Sequence, residues 1–137
     1  MARGSDWIEG ADCFESLGEF SELTYRIIGC AYAVANALGV GFLEKVYENA
    51  LAHELRKVGI FVEQQKAVDV YYDGVLVGNY VADLLIENSV IIELKAIKSL
   101  EDIHVAQCLN YLTATNKRVC LLLNFGTSKV QIKRIVK

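Results

Sequence analysis

Leu23, Ile27, Ala31, Val34 and Leu38 recur three to four positions apart, which predicts a helix from about Ser21 to Leu38 with Ser21 as its cap. Gly39-Val40-Gly41 breaks that pattern. Leu43, Val46, Tyr47, Ala50, Leu51, Leu55 and Val58 then predict a second helix from Phe42 to about Val58, closed by Gly59. From Ile60 the periodicity turns to β. Ile60–Tyr72 reads as a strand, Asp73-Gly74 as a hairpin turn, and Val75–Ile86 as the returning strand with a bend at Gly78. Glu87-Asn88-Ser89 is the next turn, and Val90–Ile97 a third, β-branched strand. Glu101–Thr113 returns to helical spacing through Val105, Cys108, Leu109 and Leu112. Arg118–Phe125 is almost continuously apolar, as expected of a strand buried on both faces, and Lys129–Val136 alternates as a final amphipathic strand. The order ααβββαββ predicts an α/β (α+β) fold, a mixed sheet flanked by helices.

Composition bounds this picture without changing it. At 137 residues, 53% hydrophobic and 23% charged, the chain suits one domain and excludes intrinsic disorder. No apolar run approaches the roughly 18 residues of a membrane span. Residues 1–20 lack the apolar stretch of a signal peptide, so the cytoplasm is the expected compartment. Charge is uneven: residues 1–22 hold six acids and one base, whereas residues 95–137 hold eight bases and two acids. The expected organisation is therefore an acidic, loose or partly helical lead-in over 1–20 and a single domain over 21–137. The basic C-terminal third suits a phosphate-bearing partner. Cys13, Cys30, Cys108 and Cys120 form no close-spaced pair, so they are expected as structural thiols, without a zinc or iron–sulfur centre.

Three constellations carry candidate chemistry. In Ile92-Glu93-Leu94-Lys95-Ala96, Glu93 and Lys95 stand two apart and share a strand face. Asp83 lies ten residues upstream of Glu93, on the preceding strand. Two carboxylates offer hard oxygen ligands to a cation, and a neighbouring ammonium offsets charge on a phosphate. Register decides whether they meet. A two-residue turn at Asn88-Ser89 sets Asp83 opposite Leu94, whereas a three-residue turn over Glu87-Asn88-Ser89, or an equivalent bulge, sets it opposite Glu93. The second constellation is Glu44 with Glu48 on one face of the second helix, Glu44 in the first turn. The third is Gln107 with Tyr111, four apart on the third helix, and His104 ahead of them as a candidate base.

The string Leu38-Gly39-x-Gly41-x-x-Glu44-x-x-Tyr47-x-x-Ala50-Leu51 resembles the signature of the GxxExxY proteins, within the PD-(D/E)XK nuclease superfamily. Further motifs follow in order: Tyr71-Tyr72-x-Gly74, Ala82-Asp83-Leu84-Leu85, Ile92-Glu93-Leu94-Lys95-Ala96, Gln107-x-x-Asn110-Tyr111-Leu112 and Leu122-Leu123-Asn124-Phe125-Gly126. The resemblance implies a RecB-like restriction-endonuclease fold and a nuclease acting on DNA. It implies that Glu44, Asp83, Glu93 and the Leu94 carbonyl hold Mg²⁺ or Mn²⁺, and that Lys95 positions the attacking water. Gln107 and Tyr111 match an element that contacts DNA. Ala35-Asn36, Val40 and Val81 stand where relatives often carry a His-Arg or similar pair, Pro and Arg, which bears on substrate contacts rather than metal ligands. The expected setting is a homodimer or a larger repair or defence assembly. The alternative is a non-catalytic nucleic-acid-binding or protein-interaction module that keeps the fold.

Overall fold

The computed structural model describes residues 4–7 and 20–137. Helix α1 spans Ser21–Leu38 and α2 spans Glu44–Lys57. Strands β2 (Val62–Tyr72), β3 (Val75–Ile86) and β4 (Val90–Lys95) follow, then α3 (Asp102–Thr115), β5 (Val119–Asn124) and β6 (Gln131–Val136). A short strand β1, Gly4–Trp7, precedes them all. It pairs antiparallel with β6, so this part of the supposed loose lead-in is sheet; the other lead-in residues before Phe20 lie outside the described residues. The six strands run in the order β1-β6-β5-β4-β3-β2. Among the described residues only β4 and β5 pair in parallel, with α3 as their crossover.

The sheet separates two apolar layers. On one side α1 and α2 bury Ile27, Ala31, Tyr47, Leu51 and Leu55 against Leu84, Ile92, Leu94 and Leu121. On the other, Cys108, Tyr111 and Leu112 of α3 cover Leu85, Ile91, Cys120 and Leu122. Strand β5 is buried at every position, as its apolar run predicts. Cys108 and Cys120 are buried free thiols and Cys30 is half-buried, while Cys13 lies outside the described residues. Among the described residues, no helix is long and apolar enough to cross a membrane.

Several boundaries shift for identifiable reasons. Phe20, not Ser21, is the residue before α1, and it carries no side-chain cap; its left-handed backbone (φ 59°) presents its carbonyl to the Thr24 N–H at 2.8 Å. Helix α2 starts two residues later than expected. Leu43, Val46 and Val58, expected on its apolar face, are exposed, and Glu48 is buried instead. Asp73 (φ 53°) and Gly74 (φ 74°) form the two-residue turn that joins β2 to β3. The irregularity expected at Gly78 is an extra residue on β3: Val70 pairs with Gly78 but Tyr71 with Leu76, which leaves Val77 over. Toward its tip this hairpin exposes Tyr71, Tyr72, Val75, Leu76 and Val77.

Candidate active site

The turn between β3 and β4 fixes the site. Ile86 pairs with Val90, Leu85 with Ile91 and Leu84 with Ile92, so three residues, 87–89, lie in the turn. Glu87 (φ 51°) and Asn88 (φ 54°) are both left-handed, and the Ser89 N–H returns to the Ile86 carbonyl at 2.9 Å. Ser89 is the additional residue that makes the count odd. Asp83 and Glu93 thereby face each other where the strands begin to part. Each carboxylate reaches the other's strand: Glu93 Oε1 accepts the Asp83 N–H at 3.2 Å, and Asp83 Oδ2 accepts the Leu94 N–H at 2.8 Å.

Burial makes this pair costly when ionised. Glu93 is 3% exposed and its pKa is pushed up to about 8, first by burial and then by the charge of Asp83. The Asp83 N–H and Lys95 act in the opposite direction. Asp83 is also raised, chiefly by burial and against the Leu94 hydrogen bond, with the Glu48 charge adding to it. Glu44, at the start of α2, is raised by burial, Asp83 and Glu48, while Lys95 lowers it. Glu44, Asp83 and Glu93, from α2, β3 and β4, thus share the field of the Lys95 ammonium.

Lys95 is tied to α3. Its Nζ donates to Gln107 Oε1 at 3.5 Å, Gln107 Nε2 donates to the Tyr111 hydroxyl at 3.1 Å, and that hydroxyl donates to the Val81 carbonyl at 3.4 Å. Burial and the Glu93 charge push the Tyr111 pKa up to about 12, so it stays a phenol. The structure therefore brings together Asp83, Glu93, Lys95, Gln107 and Tyr111, with Glu44 in electrostatic range. His104 has a different task. Its Nδ1 accepts the Glu101 N–H at 2.9 Å, completing a capping box at the start of α3.

Glu48, which helical spacing sets on the Glu44 face, has partners that the sequence does not show, and Gln65 escapes a reading of the sequence altogether. Glu48 is 3% exposed and holds Lys45 at 2.9 Å, Gln64 at 2.8 Å and Gln65 at 2.6 Å. Gln65 Nε2 also lies 3.5 Å from Asp83 Oδ1. It occupies the ladder position opposite Asp83 with φ 52°, and the pairing is interrupted there. Gln65 thus links the α2 acid to the β3 acid. Gln64 and Gln65 stand in the polar run Glu63-Gln64-Gln65-Lys66, which gives no signal that sets them apart.

The remaining motif residues hold the frame. Tyr47 is fully buried; its hydroxyl donates to the Gly39 carbonyl at 2.6 Å and accepts the Phe42 N–H at 3.2 Å. Its ring stacks on Phe125 with centroids 4.9 Å apart. The spacing from Gly39 through Glu44 to Tyr47 is therefore a loop clamp that sets where Glu44 begins its helix. Tyr47→Phe is expected to cost roughly 1–3 kcal/mol, because the Gly39 carbonyl and Phe42 N–H lose a buried partner. Urea melts of the two proteins check this, and equal midpoints would refute it.

The donor set suits a divalent cation, although among the described residues no three His, Cys, Asp or Glu side chains form a ready-made cage. The fit rests on chemistry: Asp83 and Glu93, on adjacent strands, are both raised first by burial and then by a neighbouring acid, Glu48 for Asp83 and Asp83 for Glu93, and hard oxygens match Mg²⁺ or Mn²⁺.

The chain belongs to the PD-(D/E)XK nuclease superfamily, whose family model matches residues 21–135. The structure is similar to that of an alkaline exonuclease from Laribacter hongkongensis, with a TM-score of 0.51 and 13% identity over 93% of this chain and 76% of that one. No curated protein matches the chain. The superfamily carries with it the restriction-endonuclease-like fold and supports a hydrolytic nuclease with a nucleic-acid substrate.

Proposed function

We propose that the protein is a Mg²⁺- or Mn²⁺-dependent nuclease that hydrolyses phosphodiester bonds of DNA. The observation that carries this reading is the register of β3 and β4, which faces Asp83 with Glu93 and leaves Lys95 on the Glu93 face. Asp83, Glu93, Glu44 and the Leu94 carbonyl are the groups that would hold the cation. When bound, a divalent ion supplies Lewis acidity and lowers the pKa of a water nucleophile. The other roles belong to side chains. Lys95 offers an ammonium to the water or to a phosphate oxygen as negative charge develops. Gln107 holds the Lys95 Nζ, and protonated Tyr111 holds Gln107. The basic stretch of residues 95–137 supports binding of a polyanion. The buried free thiols Cys108 and Cys120 support a reducing compartment such as the cytoplasm.

Calorimetric titration with Mn²⁺ and Mg²⁺, paired with cleavage assays on single- and double-stranded DNA and RNA, tests the proposal. Wild type should bind the ion and cut DNA, and Asp83→Ala/Glu93→Ala should do neither. Metal-independent, salt-sensitive binding without product would support a non-catalytic module instead. Cleavage confined to RNA would correct the substrate alone.

A further inference from the structure

A second recess adjoins the reaction centre. Tyr80 of β3 and Ile103, His104, Ala106, Gln107, Asn110 and Tyr111 of α3 line a groove of about 370 Å³. That volume falls in the range of roughly 300–1,000 Å³ typical of small-ligand sites. Two of its walls, Gln107 and Tyr111, are the residues that reach toward Lys95. A group seated there lies one side chain, Gln107, from the Lys95 ammonium.

The lining has a definite chemistry. Tyr80 is 54% exposed and Ile103 71%, so both present apolar surface to the groove and to solvent. The Tyr80 and Tyr111 rings stand 6.0 Å apart at 67°. A flat ring laid parallel to the Tyr80 ring would stand at the same steep angle to the Tyr111 ring. Gln107 and Asn110 add amide donors and acceptors. The Glu101 N–H on His104 Nδ1 places the proton of the neutral imidazole on Nε2. None of the lining residues is Lys, Arg, Asp or Glu. The lining thus offers a phosphate or a charged peptide no Lys or Arg ammonium or guanidinium and no carboxylate, whereas its aromatic faces and amides suit a planar, hydrogen-bonding heterocycle.

We propose that this groove holds one unpaired nucleobase of the substrate strand beside the phosphate under attack, and that the enzyme therefore takes its substrate as single strand. The proposal rests on the nuclease reading above. A base within a duplex is stacked on both faces and paired at its edge, so it must leave the helix to lie on Tyr80. Base–aromatic stacking tolerates every base, so the groove selects for unpaired character rather than for sequence.

The test compares a short oligothymidylate, the same sugar–phosphate chain without bases, and a blunt duplex, all with Mn²⁺ and the full-length protein. Wild type is expected to cut the oligothymidylate with a kcat/KM about tenfold above the base-free chain, the scale of one stacked base. Tyr80→Ala should lose about the same factor on the oligothymidylate, and the two losses should not multiply. Tyr80→Phe, which keeps the ring face, should recover the preference, and a matched melting temperature for Tyr80→Ala excludes a folding defect. If wild type cuts all three substrates equally, or if the two losses multiply, the groove is not a base site while the nuclease reading stands. If wild type cuts none of them, nor RNA, the nuclease reading falls and takes this proposal with it.

Discussion

Glu93→Gln is expected to slow cleavage by at least about a hundredfold while raising the stability of the metal-free protein at neutral pH. The loss follows from the carboxylate's place between Asp83 and Lys95, where a neutral amide is a poor ligand for a hard cation. The gain follows from linkage. Folding raises the Glu93 pKa from 4.5 to about 8, so the folded state favours the protonated carboxyl. The stabilising effect of that proton is complete below pH 4.5 and is lost as pH rises through about 8. Each pH unit across this window is worth about 1.4 kcal/mol at most, so the whole effect is of the order of a few kcal/mol. Glutamine keeps the acceptor for the Asp83 N–H and removes the titration. Thermal melts of both proteins in chelator, from pH 5 to pH 8, give the comparison. The wild type should lose stability along this range more steeply than the variant. Parallel curves would show that burial of Glu93 carries no such cost, and unimpaired cleavage would remove Glu93 from the site.

The two halves of that prediction differ in how far the sequence reveals them. That Glu93 and Lys95 share a face needs only the twofold period of a strand, and Asp83 joins them once the turn is counted as odd. Both steps are local and survive folding, as the Ile86–Val90 pair shows. The apolar stripe assigned to α2 failed where long-range partners decide. Glu48 is buried because Gln64 and Gln65 reach it from β2, and helical spacing contains no trace of that. Gln65 itself reads as an ordinary strand residue, yet its left-handed backbone interrupts the ladder beside Asp83. Strand β1 was missed for the same kind of reason: its partner β6 lies at the other end of the chain. The groove beside Tyr111 joins β3 to α3 and belongs to no motif of contiguous residues.

The Asn124-Phe125-Gly126 segment shows the reverse case, in which a short string encodes a close packing that its composition does not announce. Asn124 is fully buried and uses its whole amide. Its Nδ2 donates to the Ile97 carbonyl at 3.0 Å and to Gln131 Oε1 at 2.9 Å, and its Oδ1 accepts the N–H groups of Ile97 and Gly126, each at 3.0 Å. The Phe125 N–H closes on the Lys95 carbonyl at 2.8 Å. The chain leaving β4 is thus stitched to the end of β5 two residues after Lys95. Gly126 makes the stitch sterically feasible, since an added Cβ would fall inside the Ile97 backbone, 2.6 Å from its carbonyl carbon. Backbone cannot rotate aside as a side chain can, so Gly126→Ala must push the segments apart and break the Asn124 hydrogen bonds. The expected cost is about 3 kcal/mol or more, a melting temperature lower by roughly 10 °C. Activity should fall further than the folded fraction does, because the displaced chain carries Lys95. Melting followed by circular dichroism, with cleavage measured well below the transition, separates the two effects. A variant that melts with the wild type would show that Ile97 and Gly126 do not pack this closely, and the support proposed for Lys95 would fail with it.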